Sequence, residues 1–285
     1  MDFNLKLWIS TGRVKHYIKG IVIFSVFFLD FSSININNFF KIFILFLGFG
    51  FFTSVVYIIN DLHDSDEDAI DNFVKTRPYA SGLITRKFMI SLSVFCFFLG
   101  FTLISLLGFF KSNIFLPSLL ISFYMVINLA YSRFKLKRHK LLGMFLVGLG
   151  FPIRFILGFL LLRVEIPPMF PLMIFLLAIL VISGKRHYRE LNNASSNDWG
   201  SIFSSIMVIN LIFYFIFLLS LIFLYEVDLL ILLTWPIFLG LMLRFRRLVK
   251  FKKGFVDLSL IFIFDRLFFL QALILISIFL FFYSK

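Results

Sequence analysis

The sequence predicts an all-α polytopic membrane protein, and its composition, its apolar segments and its basic residues each support this fold class. Of the 285 residues, 61% are hydrophobic and only 15% are charged, and the mean hydropathy is +1.01. So few polar residues cannot cover a water-soluble globule of this size. The single cysteine, Cys96, excludes an internal disulfide and a cysteine-ligated metal site. We expect one transmembrane domain over residues 1–285 and no nucleic-acid partner.

Nine apolar runs approach the roughly 17 to 25 residues that a helix needs to cross a bilayer. The first, sixth and eighth runs are short. A signal peptide is not expected, because no small-residue cleavage site follows the basic N-terminal segment. The predicted transmembrane helices lie near Gly20–Ser33, Phe40–Ile59, Phe88–Phe110, Ile114–Tyr131, Leu141–Leu162, Pro168–Ser183, Ile202–Leu224, Leu229–Leu243 and Phe255–Tyr283.

The basic residues predict the orientation of these helices, because cytoplasmic loops carry an excess of Lys and Arg. With a cytoplasmic N-terminus, the opposite side has almost no positive charge, and five cytoplasmic segments hold 22 of the 28 basic residues. These are Lys6, Arg13, Lys15 and Lys19; Lys75, Arg77, Arg86 and Lys87; Arg133, Lys135, Lys137, Arg138 and Lys140; Lys185, Arg186 and Arg189; and Arg244, Arg246, Arg247, Lys250, Lys252 and Lys253.

An acidic stretch at the end of the second predicted helix is not explained by apolar composition. Six of the fifteen acids lie between Asn60 and Asp71, in a chain of formal charge +13. Asp61, Asp64 and Asp68 are three and four residues apart, so they would share one face if the second helix continued through them. Converging carboxylates suit Mg²⁺, which completes its shell with water and phosphate oxygens. A solvated acidic loop is the alternative, and Ca²⁺ is less favoured because no EF-hand loop is present.

Two basic residues follow the acids and support the interpretation of this stretch as a site for Mg²⁺ and a diphosphate. Lys75 and Arg77 could bind phosphate oxygens that the metal does not reach. The pattern Asn-Asp-x-x-Asp-x-x-x-Asp beginning at Asn60, followed by Arg77-Pro78 and Ser81-Gly82, resembles the first signature of the UbiA superfamily of intramembrane prenyltransferases. The resemblance implies a nine-helix UbiA-like bundle with its Mg²⁺-dependent active site at the cytoplasmic face of the inner (cytoplasmic) membrane of a bacterium.

The second acidic signature of the superfamily, typically Asp-x-x-x-Asp at the cytoplasmic end of helix six, is replaced in this chain. Residues 184–191 read Gly-Lys-Arg-His-Tyr-Arg-Glu-Leu, with three strong bases and one acid. Replacing carboxylates by Lys and Arg favours an anion over a metal. This departure resembles the decaprenyl-phosphate phosphoribosyltransferase branch, which reads Gly-Lys-Arg-Tyr-x-Glu-Leu. Because one residue is added, either Lys185-Arg186 or Arg186-His187 takes the place of its basic pair, before Tyr188 and Glu190.

Weaker matches to the same branch extend along the chain. The segment Arg13–Gly20 is similar to its entry motif, with Tyr17 and Gly20 in place of Trp and Asn. Tyr-Ser-x-x-Lys at 131–135 and Arg-x-x-x-Gly at 154–158 also match, with Phe134 in place of Leu. The resemblance adds these substrate-binding residues: Lys19, Tyr131, Lys135 and Arg154.

Two further positions are notable because ionisable groups inside a membrane are costly and usually paired or functional. Arg154 lies within the fifth apolar run, and Asp265-Arg266 lies within the ninth. An ion pair between helices five and nine and a role in substrate binding are both compatible with these positions.

The resemblance to the branch implies transfer of a 5-phosphoribosyl group from phosphoribosyl diphosphate to a polyprenyl phosphate, for synthesis of a cell-envelope glycan precursor. Asp61, Asp64 and Asp68 would be the catalytic metal ligands, with Asn60, Lys75 and Arg77 on the diphosphate. The sugar 5-phosphate, the ribose hydroxyls and the lipid phosphate would be bound by Lys135, Lys185, Arg186, Tyr188 and Glu190. The alternatives are a prenyltransferase acting on an aromatic acceptor, and a transporter with an acidic cation site. A transporter is less favoured, because its binding site usually lies at the bilayer midplane.

Overall fold

The computed structural model describes residues 5–70, 74–110, 112–136, 139–193, 198–251 and 265–283, and within these ranges it contains helices and turns but no β-strand. The chain divides into two compact units, Met1–Ile166 and Pro167–Lys285. Several residues of the sequence analysis lie outside the described ranges: Asp71, Lys137, Arg138, Lys252, Lys253 and residues 255–264 of the ninth apolar run.

The first unit is built around one long helix that ends at the acidic stretch. This helix, α3, packs against α5, α6, α8 and the first 3₁₀ segment. In chain order the elements are α1 (Leu5–Thr11), a 3₁₀ segment (Val14–Ser25), α2 (Val26–Leu29), a 3₁₀ turn (Phe31–Ser33), α3 (Ile36–His63), α4 (Ser65–Ile70), α5 (Arg86–Phe109), α6 (Phe115–Arg133), α7 (Lys140–Gly148) and α8 (Gly150–Leu162).

Local sequence explains where these helices begin and break. The side chains of Asn35 and Thr85 accept hydrogen bonds from backbone N–H groups in the first turns of α3 and α5, as N-cap residues do. The fifth apolar run is divided into α7 and α8 at Leu149. Pro152, which lacks a backbone N–H, stands in the first turn of α8 and accounts for the interruption.

Among the residues that the structure describes, the second unit contains four long helices. In chain order its elements are α9 (Met169–Asn193), α10 (Trp199–Tyr225), a 3₁₀ segment (Leu229–Leu233), α11 (Thr234–Phe251) and α12 (Arg266–Tyr283). Helix α9 packs against α10 and α11, and α11 packs against α12. Gly184 allows close packing here, because a Cβ atom at this position would lie 3.0 Å from the ring of Phe245.

Eight helical segments among the described residues are long and apolar enough to cross a membrane. The all-α membrane fold is therefore confirmed, whereas the count of nine is not. The first predicted run, Gly20–Ser33, folds instead as 3₁₀ turns and the one-turn helix α2. Hydropathy does not distinguish a 3₁₀ hydrogen-bonding pattern from an α-helical one, since both bury the same apolar side chains.

Candidate active site

The acidic stretch does not continue α3, as its spacing had allowed, but turns at Asp64. Helix α3 ends at His63, Asp64 caps it by donating its N–H to the carbonyl of Asn60, and α4 starts at Ser65. The first turn of α4 contains three acids. Acidic side chains stabilise a helix N-terminus through its dipole, which favours a new helix at this point. Asp61 and Asp68 consequently lie on different helices.

Two arginines bring these carboxylates together. Arg13 forms an ion pair with Asp61, and the Nη1 atom of Arg77 contacts both Asp61 Oδ1, at 3.2 Å, and Asp68 Oδ2. One guanidinium nitrogen therefore lies between a carboxylate of α3 and a carboxylate of α4. Asp61 is 6% exposed, so its charge requires such compensation. In this structure the cation that lies between two of the predicted metal ligands is the Arg77 guanidinium.

Asp68 is affected by both burial and charge. Burial raises the pKa of Asp68 above the ordinary value of an aspartate, and the nearby Arg77 guanidinium opposes this effect. The Asp64 carboxylate acts in the same direction as burial, because two nearby negative charges disfavour each other. A bound divalent cation would offset both causes that raise this pKa, because it stabilises the ionised carboxylates.

The segment that carries Arg13 is attached to α3 by polar and aromatic contacts. Ser54 donates to the carbonyl of Gly12 at 2.6 Å, and its hydroxyl shares a 2.9 Å hydrogen bond with Tyr17. The Arg13 guanidinium lies 4.8 Å from the ring centroid of Tyr57, within cation–π distance. These contacts hold Arg13 beside the last turns of α3. Arg13 was not among the predicted site residues, although it begins the entry motif that was matched to the family branch.

The other predicted residues of the first unit occupy different surroundings. Lys75 is exposed on the turn that carries Arg77, and Lys19 is half-buried on the 3₁₀ segment. Lys135 follows α6 with a positive φ of 49°, and its Nζ lies 3.9 Å from Glu67 of α4. Tyr131 lies in the last turn of α6. Lys135 is thereby connected to the helix of Asp68.

Arg154 is enclosed by aromatic rings within the first unit. It is 4% exposed and donates to the carbonyl of Gly150 at 2.5 Å. Its guanidinium lies 4.9 Å from the ring of Phe49, 5.5 Å from that of Tyr124 and 5.6 Å from that of Phe151. Cation–π contacts are strongest when desolvated, so this cage stabilises a buried charge. Its predicted role in substrate binding remains a prediction.

The chemistry of the acidic end of α3 fits a magnesium ion. Within the described residues, no group of three or more His, Cys, Asp or Glu side chains is already close enough to hold a metal. The side-chain oxygen of Asn60 is nevertheless buried without a hydrogen-bond partner in the described part of the chain. A buried acceptor without a partner is costly. Carboxylates beside an unsatisfied amide oxygen are the hard oxygen donors that Mg²⁺ prefers.

The basic segment of the second unit, residues 185–190, lies in the last turns of α9. His187 Nδ1 is 3.2 Å from Glu190 Oε2, and the Arg186 guanidinium lies 4.7 Å from the ring of Trp199. Tyr188 is buried at 5% exposure, and Lys185 is half-buried. The single acid of this segment is therefore engaged by a histidine on its own helix. The segment carries three strong bases and one acid, in contrast to the acidic end of α3.

Asp265 is located at the start of a helix, not within one. It accepts a 2.8 Å hydrogen bond from the backbone N–H of Phe268 and pairs with Arg244, whose Nη2 lies 2.8 Å from Asp265 Oδ1. This ion pair connects α11 and α12. It gives Asp265 a structural partner within the second unit, which the sequence had not assigned.

Comparison with known proteins places the all-helical fold of this chain among known membrane proteins. The UbiA prenyltransferase family matches residues 21–254. The chain belongs to this family. The UbiA member from Archaeoglobus fulgidus bound to dimethylallyl diphosphate (DMAPP) and Mg²⁺ superposes with a TM-score of 0.66 at 15% identity, covering 95% of this chain and 99% of that one. The same homologue bound to geranyl diphosphate (GPP) and Mg²⁺ gives 0.65 at 15% identity, covering 98% and 100%.

Two further proteins are similar to this chain. Digeranylgeranylglyceryl phosphate synthase has the same fold, with a TM-score of 0.61, 17% identity and 98% coverage of both chains. The uncharacterized protein y4nM of Sinorhizobium fredii (strain NBRC 101917 / NGR234) is 31% identical over 156 residues. That match covers 54% of this chain and 28% of y4nM, so the chain aligns with less than a third of that protein.

Proposed function

We propose that this UbiA-family protein transfers the 5-phosphoribosyl group of phosphoribosyl diphosphate to a polyprenyl phosphate at the cytoplasmic face of the bacterial inner membrane. The observation that carries the proposal is the contrast in charge between the acidic end of α3 and the basic segment of α9. The end of α3 presents aspartates to a cation, whereas residues 185–190 of α9 present bases, with their one acid engaged by His187. A donor with a second phosphate, in addition to its diphosphate, suits this distribution of charge.

The acidic end of α3 would hold the diphosphate of the donor. Asp61, Asp64 and Asp68 would bind Mg²⁺, with the side-chain oxygen of Asn60 in support. When bound, Mg²⁺ stabilises the negative charge that develops on the departing diphosphate. Arg77 already lies between two of these carboxylates, and we propose that its guanidinium then binds diphosphate oxygens, together with the exposed Lys75.

The transfer step needs no oxidant, reductant or strong general base. A phosphate oxygen of the polyprenyl phosphate supplies the electron pair for a new bond to C1 of the ribose. The bond from C1 to the diphosphate oxygen breaks, and diphosphate leaves with that electron pair. Attack opposite the leaving group inverts C1. The attacking oxygen is already anionic at neutral pH, so the protein needs mainly to position it.

The basic segment of α9 would bind the remaining phosphate. Lys185 and Arg186 are proposed to neutralise it, and Arg186 is positioned by its contact with Trp199. Tyr188 and Glu190 would orient these bases or the ribose hydroxyls. Tyr131, Lys135, Lys19 and Arg154 remain proposed contributors to substrate binding.

The proposal is tested by purifying the protein, reconstituting it with polyprenyl phosphate, and supplying labelled phosphoribosyl diphosphate with and without Mg²⁺. We expect label in the lipid fraction only with Mg²⁺, and a loss of at least about 100-fold in Asp61→Asn and Asp68→Asn. Asp66→Asn is the matched control, because Asp66 shares α4 with Asp68 but is exposed. Full activity in the Asp61 and Asp68 variants would contradict the metal assignment.

A second candidate is transfer of a prenyl group from a prenyl diphosphate to an aromatic acceptor. It is favoured by the family itself and by the diphosphates, DMAPP and GPP, named for the solved Archaeoglobus homologue. The same reconstituted protein is given labelled geranyl diphosphate and an aromatic acid. Label in the aromatic product, with none transferred from phosphoribosyl diphosphate, would establish this candidate and exclude the first.

A further inference from the structure

Arg77 holds the position between two of the proposed metal ligands. Asp61 Oδ1 accepts hydrogen bonds from both Arg13 Nη2 and Arg77 Nη1. The same Arg77 atom also donates to Asp68 Oδ2. A metal ion bound between Asp61 and Asp68 would have to take the place of this nitrogen, because a guanidinium and a metal ion repel each other at such short range.

Arg13, the other positive group at Asp61, is held in place by its surroundings. The carbonyl of the neighbouring Gly12 accepts a 2.6 Å hydrogen bond from Ser54. The Arg13 guanidinium lies 4.8 Å from the ring centroid of Tyr57. Displacing Arg13 would therefore disturb contacts with α3 that do not involve the carboxylate. We expect Arg13 to stay beside Asp61 when a ligand binds.

Arg77 is more easily displaced than Arg13. It lies on the turn between α4 and α5, where its backbone N–H donates to the carbonyl of Val74 at 2.9 Å. Its side chain is 29% exposed, so rotation can move the guanidinium toward water while the backbone hydrogen bond is kept. Its removal nevertheless breaks two ion pairs with carboxylates whose side chains are only 8% and 13% exposed. Such a loss is costly unless another charge compensates it.

Mg²⁺ and a diphosphate differ in what they offer Arg77. Mg²⁺ alone would compensate the carboxylates, but it would repel the displaced guanidinium and leave it without an anion. A diphosphate supplies that anion, because its oxygens accept the charge-assisted hydrogen bonds that a guanidinium donates. A diphosphate alone would be repelled by the carboxylates. Binding of either one should therefore strengthen binding of the other, by the same factor in both directions.

We infer that Arg77 makes the binding of Mg²⁺ depend on a diphosphate, because its guanidinium takes the place of the metal ion until diphosphate oxygens accept it. This role rests on the metal site proposed above, and it applies to any donor that carries a diphosphate. Before the donor binds, Arg77 stabilises Asp61 and Asp68 without a metal. When the product diphosphate leaves with Mg²⁺, Arg77 returns to the two aspartates.

Isothermal titration calorimetry on the purified full-length protein in detergent tests this role. The probes are Mg²⁺ alone, inorganic diphosphate alone and the two together, with affinities corrected for the complex that the two form in solution. For the wild type we expect weak binding of Mg²⁺ alone and an affinity at least about tenfold higher with diphosphate, as is common for coupled sites. An affinity for Mg²⁺ that diphosphate does not change would overturn the role of Arg77.

Two variants of Arg77 separate this role from a contribution to folding. In Arg77→Gln, Mg²⁺ alone should bind at least about tenfold more tightly than in the wild type, because no guanidinium has to be displaced. Diphosphate in the presence of Mg²⁺ should bind more weakly to the same variant. A residue that only stabilised the fold would weaken both. Arg77→Lys keeps a positive charge and should retain the weak binding of Mg²⁺ alone.

Lys75→Gln is the matched control, because it removes one positive charge from an exposed position on the same turn. It should weaken diphosphate binding without tightening the binding of Mg²⁺ alone, since an exposed charge is screened by solvent and salt. Equal tightening in Lys75→Gln and Arg77→Gln would show a general effect of charge and overturn the role of Arg77.

Asp61→Asn distinguishes failure of this role from failure of the metal site. If Mg²⁺ and diphosphate together bind equally well to Asp61→Asn and to the wild type, the proposed metal site is wrong, and the role of Arg77 with it. If their joint binding requires Asp61 but Arg77→Gln binds Mg²⁺ alone as weakly as the wild type, only the role of Arg77 is wrong.

Discussion

Arg77 is the residue that compensates the charge of two carboxylates from different helices. Its Nη1 atom contacts Asp61 and Asp68, whose side chains are 8% and 13% exposed. Without Arg77, Asp68 would lose its described ion pair and Asp61 would keep only its pair with Arg13, unless a metal ion replaced the lost charge. The metal-free and metal-bound proteins should therefore respond differently to its removal.

We predict that Arg77→Gln lowers the stability of the Mg²⁺-free protein by a free energy on the order of 2 kcal/mol. Added Mg²⁺ should restore most of this loss, since the cation takes over the compensation of the carboxylates. The measurement is Tm in detergent, with and without Mg²⁺. Arg86→Gln, an exposed arginine at the start of α5, is the control that should show neither effect. A loss that Mg²⁺ does not reduce would contradict the prediction.

Substitution of Asn60 is expected to affect the stability of the metal-free protein in the opposite direction to substitution of Arg77. Because its side-chain oxygen is buried without a described partner, replacing Asn60 by leucine should leave the Tm of the metal-free protein unchanged or raise it. The same variant should bind Mg²⁺ more weakly, as it lacks the proposed oxygen ligand. A Mg²⁺ titration followed by Tm measures both the stability of the metal-free variant and its affinity for Mg²⁺. Wild-type Mg²⁺ affinity in Asn60→Leu would remove Asn60 from the proposed site.

At the scale of elements, the 3₁₀ segment Val14–Ser25 depends on its close approach to α8. A Cβ atom at Gly158 would overlap the backbone carbonyl oxygen of Ile23, which cannot move aside as a flexible side chain can. A second tight contact is at Gly50, where a Cβ atom would overlap the ring of Tyr17. Small residues at these positions thus allow the segment that carries Arg13 to pack in the first unit.

We predict that Gly158→Ala lowers Tm by several degrees and weakens Mg²⁺ binding, because displacement of the 3₁₀ segment moves Arg13 away from Asp61. Gly108→Ala is the matched control, since the nearest atom to its added Cβ would lie 3.8 Å away. Tm and Mg²⁺ titration are measured for both variants. Equal behaviour of the two would contradict the packing described for Gly158.

The sequence predicted helices well where apolar runs are long, and less well where hydrogen bonding or partners decide the structure. Hydropathy located the runs that become α3, α5, α6 and α9–α12. It could not show that the first run would fold as a 3₁₀ segment, or that α3 would end at His63. The spacing of the carboxylates allowed one shared helix, but Asp61 and Asp68 lie on different helices. The pairing of Arg13 with Asp61 joins residues 48 positions apart and required tertiary structure.

At the scale of the whole molecule, the distribution of basic residues predicts the orientation in the membrane. Lys87 belongs to a predicted cytoplasmic connection and Glu226 to an opposite one, and both are exposed. Since Cys96 is the only cysteine, a Cys96→Ser background allows single-cysteine labelling. We predict that an impermeant maleimide labels Glu226→Cys in cells with only the outer membrane opened, and Lys87→Cys only after the inner membrane is permeabilised. The reverse pattern would contradict the orientation.

The proposed activity depends on a diphosphate at the acidic end of α3 and on another phosphate at the basic segment of α9. Its most direct test is a competition in one reconstituted sample that contains Mg²⁺, polyprenyl phosphate, an aromatic acid, and equal amounts of labelled phosphoribosyl diphosphate and labelled geranyl diphosphate. We predict that ribose label enters the lipid phosphate and that geranyl label stays in its diphosphate. Transfer of geranyl label to the aromatic acid, with no ribose label in the lipid, would contradict the proposed function.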